Sequence, residues 1–206
     1  GPGATPGSIA DVTAAYEGIQ RLPGYHAEGT FRGQKADGEE IYIHYTRDVD
    51  AQGNFHLVGW DEEGANPAFE MYYVDRHIYL GQGNQFMDLG EQPLDQASAF
   101  YQIYDLPFTL ALLGASNLEA VGRETVNGLT TTKYRANFDR WVRLYLQARA
   151  GVTYTAEGYL WIADEYGAIV KSTAQATLTE EGKTSTFSSE TEISQVGQVP
   201  PIQVPK

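Results

Sequence analysis

Two blocks of alternating apolar and polar positions flank one stretch, Leu94–Ala115, whose apolar residues fall at helical spacing. Alternation with period two predicts half-buried strands, and apolar positions three and four apart predict helices. In the first block Tyr25, Ala27, Gly29 and Phe31 alternate with His26, Glu28, Thr30 and Arg32, and Ile41, Ile43 and Tyr45 alternate with Tyr42, His44 and Thr46. Phe55, Leu57 and Gly59 follow a turn at Asp50–Asn54. Phe69–Val74 pairs with His77–Leu80, and Gly81–Asn84 turns into Gln85–Leu89. Asp37-Gly38 and Asn127-Gly128 are hairpin signals. The second block predicts strands at Leu118–Val126, Leu129–Phe138, Tyr154–Ala163, Ala168–Thr179 and Lys183–Val196. The proline-rich tail after it should run extended along an edge.

Three helical segments interrupt this pattern. The first starts at a Ser8 cap, carries Ile9, Val12, Tyr16 and Ile19 on one face, and stops near Leu22, before Pro23-Gly24. The central stretch places Leu94, Ala97, Phe100, Tyr101 and Tyr104 in a stripe. Pro107 then predicts a restart, making a pair of helices whose second member, Phe108–Leu113, is apolar nearly all round. The third runs Asp139–Ala150, capped by Asp139, with Trp141, Leu144, Tyr145 and Ala148 on one face and Gly151 ending it. Strands spaced about a dozen residues apart with polar turns favour one continuous antiparallel sheet over βαβ units. The fold class is α+β, with residues 8–206 as one domain behind a flexible lead at 1–7.

Composition narrows the function classes. A net charge of −13 and a pI near 4.6 argue against nucleic-acid binding, which needs a basic footprint. The same charge favours a soluble monomer. There is no cysteine, so disulfide, thiolate and cysteine-metal chemistry are all excluded. The longest apolar run is far short of the roughly 20 residues of a membrane span. Gly1-Pro2 reads as a protease scar, with any targeting segment trimmed away.

Motifs of catalysis are approached but not met. Gly182-Lys183-Thr184 ends like a phosphate-binding loop, but Thr177 stands where the first glycine belongs. Gly81-Gln82-Gly83 lacks its third glycine at Phe86, and Gly114-Ala115-Ser116 has Leu118 in place of the closing glycine of a nucleophile elbow. His26, His44, His56 and His77 lie on different strands without metal-ligand spacing, so they read as separate strand residues. A hydrolase or isomerase built on His26 or His44 ranks last. Glu39-Glu40, Glu62-Glu63 and Glu180-Glu181 fall at turns. No cofactor is expected.

Two features remain. The first is a surplus of large apolar side chains on sheet and helix faces: Phe31, Ile43, Tyr45, Phe55, Leu57, Tyr73, Phe100, Tyr104, Phe108, Leu112, Trp141, Tyr145 and Trp161. These form either an ordinary core or the lining of an apolar cavity. The second is a local excess of cations, Lys133, Arg135, Arg140, Arg143 and Arg149, opposed within that stretch only by Asp139. It reads either as a solvated face or as a dock for an anionic head group or acidic partner.

The order of elements, with Val121–Gly128 running into Thr132-Lys133-Tyr134, then Gly158–Asp164 with Gly167, Ile169 and Val170, and the Ile193–Pro205 end, resembles the LolA-like superfamily of bacterial envelope proteins. The LppX/LprG type of lipoprotein is the nearest form. The resemblance implies a highly curved half-barrel of about ten or eleven strands, with helices covering its concave face around an apolar cavity lined by the residues above. It implies a non-enzymatic carrier that holds acyl chains of a lipid or acylated protein outside the cytoplasm. On this reading the chain is a lipoprotein whose signal sequence and anchor cysteine have been removed, and it touches the membrane only through that anchor. An envelope sensor or protein-interaction module, with the same fold and a filled cavity, is the alternative.

Overall fold

The computed structural model describes residues 9–146 and 148–206; the side chains of residues 9–11, 102–103, 105–111 and 113 lie outside that description. The Ser8 cap, the lead at 1–7 and the Phe108 side chain therefore fall outside the described residues. Helix α1, Ile9–Glu17, tightens into a 3₁₀ turn at Gly18–Arg21 before Pro23. Six strands follow: β1 Tyr25–Gln34, β2 Glu40–Val49, β3 Phe55–Trp60, β4 Phe69–Val74, β5 His77–Gln82 and β6 Gln85–Glu91. Helix α2, Leu94–Gly114, leads to β7 Ser116–Val126 and β8 Leu129–Asn137. After the short α3, Asp139–Leu144, come β9 Thr153–Ala163, β10 Ala168–Glu180 and β11 Lys183–Ser194.

All eleven strands form one open antiparallel sheet in the order β6-β5-β4-β3-β2-β1-β11-β10-β9-β8-β7. Each half is a meander joined by short turns. Asn127 and Gly128 both have positive φ, as a tight two-residue hairpin requires. The halves meet where β1 pairs with β11, from His26 opposite Ser194 to Gln34 opposite Thr186. The first and last strands thus lie at the centre of the sheet, while β6 and β7 are its free edges.

Three expectations need correction. Residues 94–114 form one helix of 21 residues, not a pair. An internal proline removes one backbone hydrogen bond, and here the turns on either side carry the helix across it. Helix α3 ends at Leu144 rather than Ala150, because Leu146 N–H turns back to the Trp141 carbonyl and Ala148 N–H to that of Val142. Asp139 is its first residue and not its cap; its own N–H is bound by Asn137 Oδ1 at 2.8 Å.

The tail also departs from expectation, crossing the strand ends rather than following a sheet edge. Gly197 N–H bonds the Gly24 carbonyl, and Ile202 N–H reaches Asp50 Oδ2 at 3.0 Å. Asp50 is 2% exposed and also accepts from the N–H groups of Gln52 and Asn54 and from Asn54 Nδ2. Burial pushes its carboxyl up, but these donors, led by Ile202, outweigh burial and hold it below its ordinary value. A carboxyl whose folded value is depressed contributes stability above its unfolded value, and that contribution is lost as pH falls through the lower, folded one. Asp50→Ala should therefore cost about 2–3 kcal/mol at neutral pH in urea unfolding. The deficit should shrink in acid, and the Ile202 amide should lose its exchange protection.

Candidate functional site

The sheet face carrying Ala27, Phe31, Tyr45, Phe55, Leu57, Met71, Leu160 and Ala174 is the one the helices cover. Three glycines set how closely they approach. A Cβ on Gly59 of β3 would lie 2.6 Å from the Tyr104 ring of α2, and one on Gly158 of β9 would lie 2.6 Å from Phe138. A Cβ on Gly114 would meet Trp141 at 2.8 Å, so α2 and α3 touch there backbone to side chain. Beneath the first half of α2, Phe55, Leu57, Met71, Tyr73 and Ile78 pack with Ala97 and Tyr101, with Phe55 stacked on Tyr73 at 5.3 Å. A larger cluster spans Val12 and Ala15 of α1, Tyr104 and Leu112 of α2, Phe138, Trp141 and the inner residues of β8–β11.

Between α1 and the start of α2 the cover is incomplete. A depression of about 480 Å³ opens there, lined by Tyr16, Ile19, Leu22, Tyr25, Arg47, Val49, Asp50, Phe55, Leu94 and Tyr101, among others. It adjoins a gap of about 40 Å³ that shares Tyr16, Ile19, Tyr25 and Arg47 and reaches Tyr45, Leu112 and Ile169. The lining therefore extends along α2 from Leu94 to Leu112, about 27 Å of helix at 1.5 Å per residue. A larger hollow of about 770 Å³ lies at the opposite strand ends, where Arg32, Glu40, Asp61, Glu62 and Glu63 make it strongly charged. Its charge suits it less to an apolar ligand.

The apolar residues singled out in the sequence divide by this geometry. Tyr45 and Leu112 line the gap, and Phe55 lines the depression. Phe31, Leu57, Tyr73 and Tyr104 are buried on the covered side, with Tyr104 stacked on Phe69 at 5.3 Å. Burial raises the Tyr104 phenol above its ordinary value. Ile43 is half-buried opposite Phe31, and Tyr145 is half-buried against the core. Trp141 is buried as a plug against Gly114 rather than as lining. Phe100 is 40% exposed and turned to solvent. Trp161 is on the opposite, outer face: it alternates with inward Leu160 and pairs across the sheet with Lys133 and Lys171. Tyr16, Ile19, Tyr25, Leu94 and Tyr101, which strand and helix periodicity already carried, complete the lining together with Arg47, which the sequence reading missed.

The basic cluster is divided as well. Lys133 lies on the outer face, over the Tyr159 and Trp161 rings at 4.7 and 4.9 Å, with its ammonium 3.1 Å from Glu124 Oε1. Trp161 Nε1 donates to the other oxygen of Glu124, and these two bonds hold that carboxyl below its ordinary value. Arg135 stands 3.9 Å from Glu119, while Arg140, Arg143 and Arg149 are exposed around α3. Each histidine has a carboxylate neighbour on the outer face: His26 with Asp48, His44 with Glu28, His56 with Glu70 and His77 with Asp88. Among the described residues, no group of three or more acidic or histidine side chains is placed to hold a metal, and no helix is long and apolar enough to cross a membrane.

No family model matches the chain, and no curated protein matches it in sequence. In fold it is similar to LolA-like proteins. The lipoprotein LppX of Mycobacterium tuberculosis matches 96% of this chain and 97% of its own at 17% identity, with a TM-score of 0.48. LprF of Mycobacterium bovis matches 96% and 95% at 15% identity and 0.46, and a LolA superfamily protein of Nitrosomonas europaea 97% and 96% at 11% and 0.33.

Because the Tyr104 ring occupies the space of an absent Cβ, Gly59→Ala should push α2 off β3. A cost of about 1–3 kcal/mol is expected, as for overpacking elsewhere. Hydrogen exchange should speed up in the middle of α2 and leave β9–β11 unchanged.

Proposed function

We propose that this protein is a non-enzymatic carrier of the bacterial cell envelope that holds an acyl chain of a lipid or lipoprotein between α1 and α2. The observation that carries this reading is the depression of about 480 Å³ that narrows into a gap beside Leu112. Its volume lies within the roughly 300–1,000 Å³ of ordinary ligand pockets. Tyrosine, leucine and isoleucine faces line it beside Gln20, Arg47, Asp50 and Gln52, and each methylene buried against the apolar faces is worth about 0.8 kcal/mol. Such a site binds through surface removed from water and needs no reacting group. The setting outside the cytoplasm and an attached lipid anchor belong to the same proposal.

A second reading keeps the fold and fills the interior with the chain's own side chains, leaving the outer surface to recruit a protein partner. The small size of the deep gap, about 40 Å³, favours it. Native mass spectrometry before and after denaturing lipid extraction separates the two. A carrier should show one acyl-bearing adduct that disappears on extraction and returns on exposure to lipid vesicles; a protein that never takes up lipid is not a carrier. Leu112→Asp adds a second test. In a carrier it should leave cooperative unfolding in place and abolish uptake, whereas loss of the fold would mean that Leu112 is sealed core.

A further inference from the structure

We infer that Leu112 limits the length of acyl chain this site accepts: the methyl end lies in the gap, and the wall behind it stops the chain. The inference rests on the acyl-binding reading above. The depression of about 480 Å³ and the gap of about 40 Å³ share Tyr16, Ile19, Tyr25 and Arg47, which form the neck between them. Past the neck the lining is Ala27 of β1, Tyr45 of β2, Leu112 of α2, and Ile169, Val170 and Ile193 of β10 and β11. Leu112, Ile169, Val170 and Ile193 are each 6% exposed or less, so the gap ends on packed core.

An apolar cavity of about 150 Å³ admits benzene with its six carbons, and by that scale a gap of about 40 Å³ admits one or two. It suits the end of a chain and not a head group, which would shed its water to enter. The polar members of the lining have partners of their own. Arg47 Nη2 donates to Tyr25 Oη at 3.4 Å, Thr191 Oγ1 shares a hydrogen bond with Ser172 Oγ at 2.6 Å, and Glu192 turns its carboxylate to Asn127 on the outer face. The end wall is braced from behind. Two residues past Leu112, an added Cβ on Gly114 would lie 2.8 Å from Trp141, so that ring seats directly against α2. Trp141 meets Phe138 edge-on at 6.1 Å, and both are 1% exposed. A chain too long for the site cannot push this wall back without displacing core aromatics. Its surplus carbons stay in water at the mouth, where Leu94 is 55% exposed.

The test uses the full chain after delipidation, exposed to an equimolar series of lysophosphatidylcholines that lengthens one carbon at a time from octanoyl to stearoyl, each below its micellar concentration. Native mass spectrometry reads the relative occupancy by each probe at constant head group. In the wild-type protein occupancy should rise about fourfold with each added methylene up to a limiting length and level off beyond it. Leu112→Ala, which takes three carbons from the wall, should move that limit about two or three carbons longer and leave the rise below it unchanged. Ile169→Val, which takes one carbon from the opposite wall, should move it by about one. A wild-type rise that continues through stearoyl overturns the role of Leu112 and leaves the acyl site standing. So does a limit that stays in place in Leu112→Ala, or in Ile169→Val where Leu112→Ala fails to fold. Occupancy by none of the probes overturns the acyl site itself.

Discussion

Helix α2 leaves one free edge of the sheet at β6 and arrives at the other at β7, with only a few residues of connection at each end. Eleven strands laid flat at about 4.8 Å spacing would hold those edges roughly 48 Å apart. Twenty-one helical residues span only about 32 Å. The chain satisfies both lengths if the sheet curls until its edges come within reach of the helix. Curvature is thus a constraint of connectivity as well as of strand twist, and it fixes which face is covered.

The packing follows from that bridge. A helix drawn across a curled sheet presses hardest where side chains are smallest: Gly59 of β3 lies under Tyr104 of α2, and Gly114 lets the end of α2 seat against Trp141. Where α1 enters, two helices must share one face, and their ends do not close the space between them. Tyr16, Ile19, Leu94 and Tyr101 are left facing each other across the depression. On the other side of the sheet the β7–β8 hairpin folds over, so that Asn127 reaches the side chain of Glu192 and the carbonyl of Ile193 on β11. Trp161, Lys133, Lys171 and Glu124 interlock beneath it. The outer face is thereby tied together by polar and cation–π contacts, and the inner face by apolar ones.

Strand positions and hairpins were legible because alternation and positive-φ turn pairs are local signals. The face of a strand was not, since aromatic residues occupy both: Leu160 and Trp161 look equally ready for the core, and only the pairing with Lys133 and Lys171 sends Trp161 outward. The helical stripe identified Ala97, Tyr101 and Tyr104 but overreached at Phe100, one position off the buried line. Pro107 misled because its local rule says nothing of the tertiary contacts on either side. Arg47 was hidden by its charge. The alternation that pointed inward at Ile43 and Tyr45 continued to it, but cations are not expected on a covered face.

The passage of α2 through Pro107 without a break has a mechanical meaning. Two hinged helices could part at the mouth while staying shut at the base. A single rod cannot: Leu94 and Leu112 move together, and the seating of Trp141 against Gly114 acts as the fulcrum. Opening the mouth at Leu94 is then a tilt of the whole helix about its seat at Gly114.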